Sequence, residues 1–180
     1  TVDLPDGFVP EGRSNGSIAT ATPLTLVEDP SSSGLYLAHG AGSIDPSNDG
    51  DWWSFQGQSG DKVAIAADTP TSGLRTWVGL YNSGGTNLTA NASSGPDNDG
   101  YISHYVLPST GTYNIFVRRQ SGSTVGDYRL RLEVGRGIDL ESDPDYTNDS
   151  VAGADPLTYA ISANQRNSTV AGTIMAGQSG

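Results

Sequence analysis

Oxygen-bearing side chains that suit a hard cation are crowded into two short stretches of this chain. The first is the turn Asn48-Asp49-Gly50-Asp51, and the second runs from Glu141 to Asp149. Calcium takes about six to eight oxygen ligands from carboxylates, amides and backbone carbonyls, whereas zinc prefers histidine and cysteine. Closely spaced Asp and Asn residues in turn-rich segments therefore predict calcium. The alternative is that Asp and Asn gather in turns because their side chains form local hydrogen bonds there.

Three aromatic residues, Trp52, Trp77 and Tyr81, form a second candidate site. Trp52 and Trp53 are adjacent, so in a strand they face opposite sides, and Trp53 shares the core side with Phe55. Flat aromatic rings suit the apolar faces of sugars, which makes Trp52, Trp77 and Tyr81 a candidate saccharide platform. The alternative is that these rings serve only in packing.

Little in the sequence points to catalysis. Its only histidines, His39 and His104, each fall within a predicted strand and have no evident nucleophile partner. The chain has no cysteine, no Gly-X-Ser-X-Gly motif and no His-Glu-X-X-His motif. We therefore expect a protein that is not an enzyme. The alternative is a Ser-His-Asp site assembled from distant parts of the chain.

The charge balance argues against some partners. The formal net charge is −11, with 20 acidic residues against nine basic ones, so we expect no nucleic-acid binding, which needs a basic face. Arg118, Arg119, Arg129 and Arg131 form the main basic concentration, and neighbouring strands could place them on one exposed face, opposite an acidic partner surface. The alternative is a solvated face that balances the aspartates. No segment reaches the roughly 18 apolar residues of a membrane span, so none is expected.

Short strands joined by turns are predicted along the chain, which contains 24 glycines and ten prolines. The candidate strands span residues 34–39, 42–44, 52–56, 62–68, 76–81, 101–106, 111–118 and 126–133. Their even spacing and alternation predict an all-β fold, an antiparallel β-sandwich of jelly-roll type. The predicted core consists of Trp53, Phe55, Val63, Ile65, Leu80, Tyr113, Ile115, Tyr128, Leu130 and Leu132.

Part of the sequence occurs twice. Residues 14–26 are echoed by residues 147–159, at an offset of 133 (147 − 14), which is the length of a whole domain. This predicts one module at residues 1–136, beginning with a strap at residues 1–13, and then a linker with the opening third of a second copy at residues 137–180. Because the second copy lacks strands to cover its apolar residues, we expect self-association, or contact with neighbouring repeats, through residues 137–180. These apolar residues include Val151, Leu157, Tyr159, Val170, Ile174 and Met175.

Seven short motifs follow one another along the chain, and their order matters more than any one of them. They include Asp49-Gly50-Asp51-Trp52-Trp53-Ser54-Phe55, and they lie at residues 15–24, 42–44, 49–55, 60–63, 78–81, 111–117 and 126–130. Together they resemble the bacterial pre-peptidase C-terminal domain, a family that includes the collagen-binding modules of secreted collagenases. The resemblance covers residues 14–134. It implies a jelly-roll sandwich, export, no catalysis and, often, calcium at the junction between the preceding linker and the domain.

The resemblance also implies which residues would hold calcium. The first copy offers Glu11, Asn15, Asn48, Asp49 and Asp51. The second copy offers Glu141, Asp143, Asp145, Asn148 and Asp149. The first copy departs from the family pattern at Gly16, where the family has Asp.

These observations predict a non-catalytic extracellular or cell-surface module, stabilised by calcium, of a tandem-repeat surface, adhesive or filament-forming protein. The alternative is a carbohydrate- or protein-binding module appended to a secreted hydrolase, with a polysaccharide or an extracellular protein as its partner. An exposed aromatic row or groove would favour the alternative.

Overall fold

The chain folds into short strands joined by turns. A computed structural model describes residues 6–144, 147–163 and 165–172. The strands are β1 (Phe8–Pro10), β2 (Thr22–Pro23), β3 (Val27–Glu28), β4 (Leu35–Ile44), β5 (Gly50–Gly57), β6 (Lys62–Asp68), β7 (Thr76–Asn82), β8 (Asn87–Asn91), β9 (Gly100–Val106), β10 (Gly111–Arg119), β11 (Gly126–Gly135), β12 (Asp139–Leu140), β13 (Ala160–Ser162), β14 (Gln165–Asn167) and β15 (Val170–Ala171).

The two main sheets have the strand order of a jelly roll. The six-stranded sheet contains β4, β11, β6 and β9 in that spatial order, with β1 and β3 beside β4. The five-stranded sheet contains β5, β10, β7 and β8 in that order, with β2 beside β5. The ladders among these eight long strands are all antiparallel. This confirms the predicted β-sandwich of jelly-roll type.

The N-terminal strands pair in parallel, which differs from the wholly antiparallel arrangement predicted. β1 runs parallel to β4, with Phe8 opposite His39, and β2 runs parallel to β5, with Thr22 opposite Trp53. Parallel neighbours need a crossover connection rather than a hairpin. Residues 11–34 form the crossover between β1 and β4. They include β2, which belongs to the five-stranded sheet.

The core lies between the two sheets and contains every residue predicted for it. Trp53 is 0% exposed, whereas the adjacent Trp52 is half-buried on the outer side of β5. The alternation predicted for this strand is therefore confirmed. The buried residues include the predicted set Trp53, Phe55, Val63, Ile65, Leu80, Tyr113, Ile115, Tyr128, Leu130 and Leu132.

One prediction about charge is wrong. Arg118 and Arg119 belong to β10 in the five-stranded sheet, whereas Arg129 and Arg131 belong to β11 in the six-stranded sheet. The four arginines therefore do not share a face. The reason is topological, since a jelly roll sends β10 and β11 to opposite sheets although they are consecutive in the chain.

The segment after β11 begins by packing on the outer face of the six-stranded sheet. Leu140 is buried against Ala64, Ala66 and Tyr101, and Lys62 forms an ion pair with Asp139. Farther along, apolar side chains are exposed; they are Val151, Leu157, Tyr159, Ile161 and Val170. Ile174 and Met175 lie outside the described residues.

Helical structure in the described residues consists of short turns such as the 3-10 turn Ile18–Thr20. None of their helices has the length and apolar character to cross a membrane.

Candidate cation site and aromatic face

Backbone hydrogen bonds hold the N-terminal strap against the sandwich. The amide of Glu11 donates to the carbonyl oxygen of Ala41 at 2.9 Å, which extends the pairing of β1 with β4. The amide of Trp52 donates to the carbonyl oxygen of Asn15 at 2.8 Å. These two bonds bring Glu11 and Asn15 next to the loop that precedes β5.

Asp51 lies inside the protein at the start of β5. It is 1% exposed, and its Oδ2 accepts a hydrogen bond of 2.8 Å from the Tyr128 hydroxyl. The same hydroxyl accepts a hydrogen bond of 2.9 Å from Trp53 Nε1. Tyr128 is therefore fixed as the donor to Asp51, and burial next to this carboxylate raises the pKa of Tyr128 well above its ordinary value.

Glu11 and Asp51 form a crowded pair of carboxyl groups. Glu11 Oε2 is buried and has no hydrogen-bond partner. Burial and the neighbouring charge of Asp51 raise the pKa of Glu11 to about 8 from its ordinary 4.5. Burial also raises the pKa of Asp51, although the hydrogen bond from Tyr128 opposes the shift. Such a pair favours a bound proton or a bound cation, either of which reduces the repulsion.

Asn15 and Asp49 complete the lining of a cleft at this pair. Asn15 is only 6% exposed, and its Nδ2 has no hydrogen-bond partner. Asp49 is half-buried, and its Oδ1 accepts a hydrogen bond of 2.9 Å from the amide of Gly50. Together with Glu11 and Asp51 they line an open cleft of about 610 Å³.

Carboxylates alone do not make a metal site here. In the described part of the chain, no group of three or more Asp, Glu or His side chains is arranged to hold a metal ion. A cation at the strap therefore needs neutral oxygens from Asn15, backbone carbonyls and water beside Glu11 and Asp51, a mixture that calcium accepts. Asn48 is exposed and lines a different cleft, next to Arg118. Of the five predicted ligands of the first copy, all but Asn48 line the cleft at the strap.

The backbone at the second acidic stretch repeats the backbone at the first. The amide of Glu141 donates to the carbonyl oxygen of Ala171 at 2.8 Å, as the amide of Glu11 does to Ala41. The donors and the acceptors are each 130 residues apart (141 − 11 and 171 − 41). In both places the bond continues a parallel pairing, of β12 with β15 and of β1 with β4.

The side chains of the second stretch satisfy one another. Asn148 Nδ2 donates to Glu141 Oε1 at 3.0 Å, and the backbone amide of Asn148 donates to Asp143 Oδ1 at 3.1 Å. Asp149 is exposed, and Asp145 lies outside the described residues. Glu141, Asp143 and Asn148 are thus together, as hydrogen-bonded partners.

The structure brings the three predicted aromatic residues to one face. Trp52, Trp77 and Tyr81 are half-buried on the outer side of the five-stranded sheet. The ring centroids of Trp52 and Tyr81 are 4.9 Å apart. Phe116 joins them: its centroid is 4.6 Å from that of Trp52 and 6.3 Å from that of Trp77.

Sequence reasoning missed Tyr128 and Phe116 as parts of these sites. Tyr128 is predicted only as a core residue, and its sequence separation of 77 from Asp51 gives no sign of their hydrogen bond. For Phe116, the alternation of β10 could have given the signal. Phe116 lies between the buried residues Ile115 and Val117, so its side chain faces outward. The ring of His39 lies tilted against that of Phe8, with a centroid distance of 5.1 Å, and His104 Nδ1 is buried without a hydrogen-bond partner.

Several solved structures are similar to this one. PliG of Aeromonas hydrophila, a periplasmic inhibitor of g-type lysozyme, is 15% identical and matches 71% of this chain and 98% of its own at a TM-score of 0.47. PliG of Salmonella Typhimurium is 20% identical, with 64% and 99% covered and a TM-score of 0.44. The pre-peptidase C-terminal domain of Bacillus anthracis collagenase is 16% identical, with 53% and 87% covered and a TM-score of 0.44. These similarities are too distant to indicate a shared partner or activity.

The sequence itself matches a known family. No curated protein matches the chain. Residues 49–119, however, match the family model of the bacterial pre-peptidase C-terminal domain. The matched stretch starts at Asp49, which lines the cleft at the strap, and ends at Arg119, the last residue of β10. The resemblance to the bacterial pre-peptidase C-terminal domain that the sequence predicts is therefore confirmed over residues 49–119.

Proposed function

We propose that this chain is a non-catalytic, exported β-sandwich module that calcium stabilises at the N-terminal strap, within a surface, adhesive or filament-forming protein. The observation that carries the calcium proposal is the buried, unpartnered Glu11 Oε2 beside the buried Asp51. The resemblance to the pre-peptidase C-terminal family supports export and the lack of catalysis.

Electrostatics supports a cation at this place. With both carboxyl groups ionised, Glu11 and Asp51 repel each other in surroundings that water screens poorly. A divalent cation between them converts the repulsion into attraction and uses the unpartnered Glu11 Oε2. It also ties Glu11, in the strap, to Asp51, in β5. Calcium binding would therefore fix the N-terminal strap onto the sandwich.

Thermal unfolding with and without calcium tests this proposal. A ligand that binds only the folded state at about 100 times its Kd stabilises by about 2.7 kcal/mol, which raises the Tm of a chain of this size by about 5 to 10 °C. We expect that rise for the native chain. Asp51→Asn, which keeps an oxygen to accept from Tyr128, should lose it.

The matched control is Asp127→Asn, since Asp127 is exposed on β11, away from the cleft lining. It should respond to calcium like the native chain. Equal melting temperatures of the native chain in calcium and in chelator would refute the calcium proposal. An equal calcium-induced rise in Tm in Asp51→Asn and in the native chain would show that calcium binds at a different site.

The aromatic face favours a second candidate function, that of a binding module appended to a secreted hydrolase. A solvent-facing sheet surface is ordinarily polar. Here Trp52, Trp77, Tyr81 and Phe116 contact one another on such a surface. A contiguous set of partly exposed apolar rings on one face is a feature of binding surfaces.

The exposed apolar residues after β12 support self-association as a further part of the proposal. Val151 is 97% exposed and Ile161 is 70% exposed. The hairpin of β13 and β14 pairs only with itself among the described residues. Unpaired strand edges and exposed apolar side chains are the features through which chains join.

A further inference from the structure

We infer that the outer face of the five-stranded sheet binds an acidic polysaccharide, through aromatic rings that hold sugar faces and an arginine that pairs with sugar carboxylates. We call this surface the aromatic–arginine face; it consists of Trp52, Trp77, Tyr81, Phe116 and Arg118. The inference deepens the second candidate function and does not depend on calcium.

The strand register assembles the face around β10. Phe116 lies opposite Trp52 on β5 and opposite Gly79 on β7. Arg118 lies opposite Trp77 on β7. The long side chains of the face therefore come from three adjacent strands and converge over the middle one.

Two glycines let the rings lie close to the sheet. A Cβ on Gly50 would be 2.6 Å from the ring of Phe116, and a Cβ on Gly79 would be 2.5 Å from the ring of Trp77. Any larger residue would push these rings outward. The rings thus lie directly on the backbone in a fixed arrangement. A ligand that binds them would therefore pay little conformational entropy for ordering these side chains.

The rings contact one another in a continuous series. Trp52 and Phe116 are stacked at 4.6 Å, with 25° between their planes, and Trp52 meets Tyr81 edge-on at 4.9 Å. Trp77 meets Phe116 edge-on at 6.3 Å. Each ring is half-buried, so part of it faces solvent. A series of partly exposed rings is suited to successive apolar sugar faces.

Positive charge adjoins the rings in an otherwise acidic protein. The guanidinium carbon of Arg118 lies 4.5 Å from the centroid of the Trp77 ring, and its Nη1 donates to the carbonyl oxygen of Arg119 at 3.0 Å. Arg119 Nε donates to the carbonyl oxygen of Ser47. Neither arginine forms an ion pair with another described residue.

The two arginines open onto a cleft of about 350 Å³. Its other lining includes Asn48 and Gln120, whose amides suit hydroxyl groups, and one carboxylate, Asp49. Two arginines and one carboxylate thus line this cleft, in a chain whose net charge is −11. This local reversal of sign is complementary to an anionic ligand, and guanidinium binds carboxylates through paired hydrogen bonds. Rings beside such a cleft fit a uronic acid polymer better than a neutral one.

A matched pair of ligands tests the inference. The probe is a short oligomer of galacturonic acid, and its control is the same oligomer with the carboxylates methyl-esterified. We expect the acidic oligomer to bind about tenfold more tightly than the ester, because the ester loses the charged hydrogen bonds to arginine. Resonances of the indole N–H groups locate the binding. Those of Trp52 and Trp77 should shift, while that of Trp53, bonded to Tyr128 in the core, should not.

Two arginine variants separate this face from general charge attraction. Arg118→Gln should weaken binding of the acidic oligomer by about tenfold, with little change for the ester. Arg129→Gln is the control, since Arg129 also lies over a ring, Phe8, at 5.9 Å, but on the other sheet. It should bind like the native chain.

Three outcomes would overturn the inference. They are no binding of the acidic oligomer by the native chain, equal affinity for the ester, and equal losses in Arg118→Gln and Arg129→Gln. Phe116→Leu checks the rings and should weaken both ligands by about threefold or more. The melting response to calcium, measured on the same samples, tells whether the calcium proposal survives independently.

Discussion

The two acidic stretches share a backbone arrangement and differ in what surrounds their carboxylates. At the first, Glu11 Oε2 is buried beside Asp51 without a hydrogen-bond donor, and a backbone hydrogen bond from Ser43 to the Glu11 carboxyl group only partly offsets the rise in its pKa. At the second, Glu141 accepts a hydrogen bond from Asn148 Nδ2. The comparison teaches that two acidic motifs with the same backbone can differ in how closely the fold crowds their charges, and we expect a cation at the more crowded one.

The largest expected difference between the two regions comes from a pair of glycines. A Cβ on Gly42 would lie 2.5 Å from the hydroxyl oxygen of Tyr128, which is buried and hydrogen-bonded and so cannot move easily. A Cβ on Gly172 would lie 2.3 Å from Glu141 Oε2, which is at the end of a half-buried, flexible side chain. Gly42→Ala should therefore destabilise the protein by about 1–3 kcal/mol, and Gly172→Ala by less than about 0.5 kcal/mol. Urea unfolding measures both. Equal losses would show that the strap is no more tightly packed than its counterpart.

The pH dependence of stability should reveal the crowding at Glu11, with a smaller effect than that of the glycine substitutions. The folded-state pKa of Glu11, about 8, lies above its ordinary 4.5. The folded protein then binds more protons than the unfolded chain between these values, so stability without calcium falls as pH rises through this window. Asp51, whose pKa burial also raises, adds to the same trend at the acidic end.

Melting temperatures in chelator from about pH 5 to about pH 8 measure this trend. Glu11→Gln should flatten it, and saturating calcium should remove or reverse it. A native Tm that does not fall over this range, or a slope that survives in Glu11→Gln, would contradict the raised pKa.

The smallest expected effect on stability comes from the exposed apolar residues. Val151 and Ile161 are 97% and 70% exposed, so replacing both by Ser should change the free energy of unfolding by less than about 0.5 kcal/mol. If these side chains mediate self-association, the same variant should reduce the mass measured by light scattering at high concentration. A native chain that stays monomeric at every concentration would refute self-association.

The sequence predicts the sandwich and its core well, because alternation in β10 and β11 depends only on local spacing. It misses β8, whose residues Asn87–Asn91 are mostly polar, and it splits β4 at Gly40 and Ala41. Polar edge strands and glycines in a strand carry weak local signals.

The sites depend on contacts between distant residues, which spacing does not encode. The pairing of Asp51 with Tyr128, and of Phe116 with Trp52, is set by the strand register across a sheet or between sheets. For the same reason the sequence predicts one face for Arg118 and Arg129, which the fold separates. Residue types indicated a cation and a saccharide, but the packing that would create affinity appears only in three dimensions.

Calorimetric titration with calcium near neutral pH, in buffers of different ionisation heat, tests the role of Glu11 most directly. Because the pKa of Glu11 is about 8, this carboxyl group is mostly protonated near neutral pH and must release its proton to bind the ion. The native chain should therefore bind calcium and release up to about one proton, and Glu11→Gln should bind weakly and release none. No binding heat in the native chain, or proton release that is unchanged in Glu11→Gln, would contradict calcium binding at the strap through Glu11.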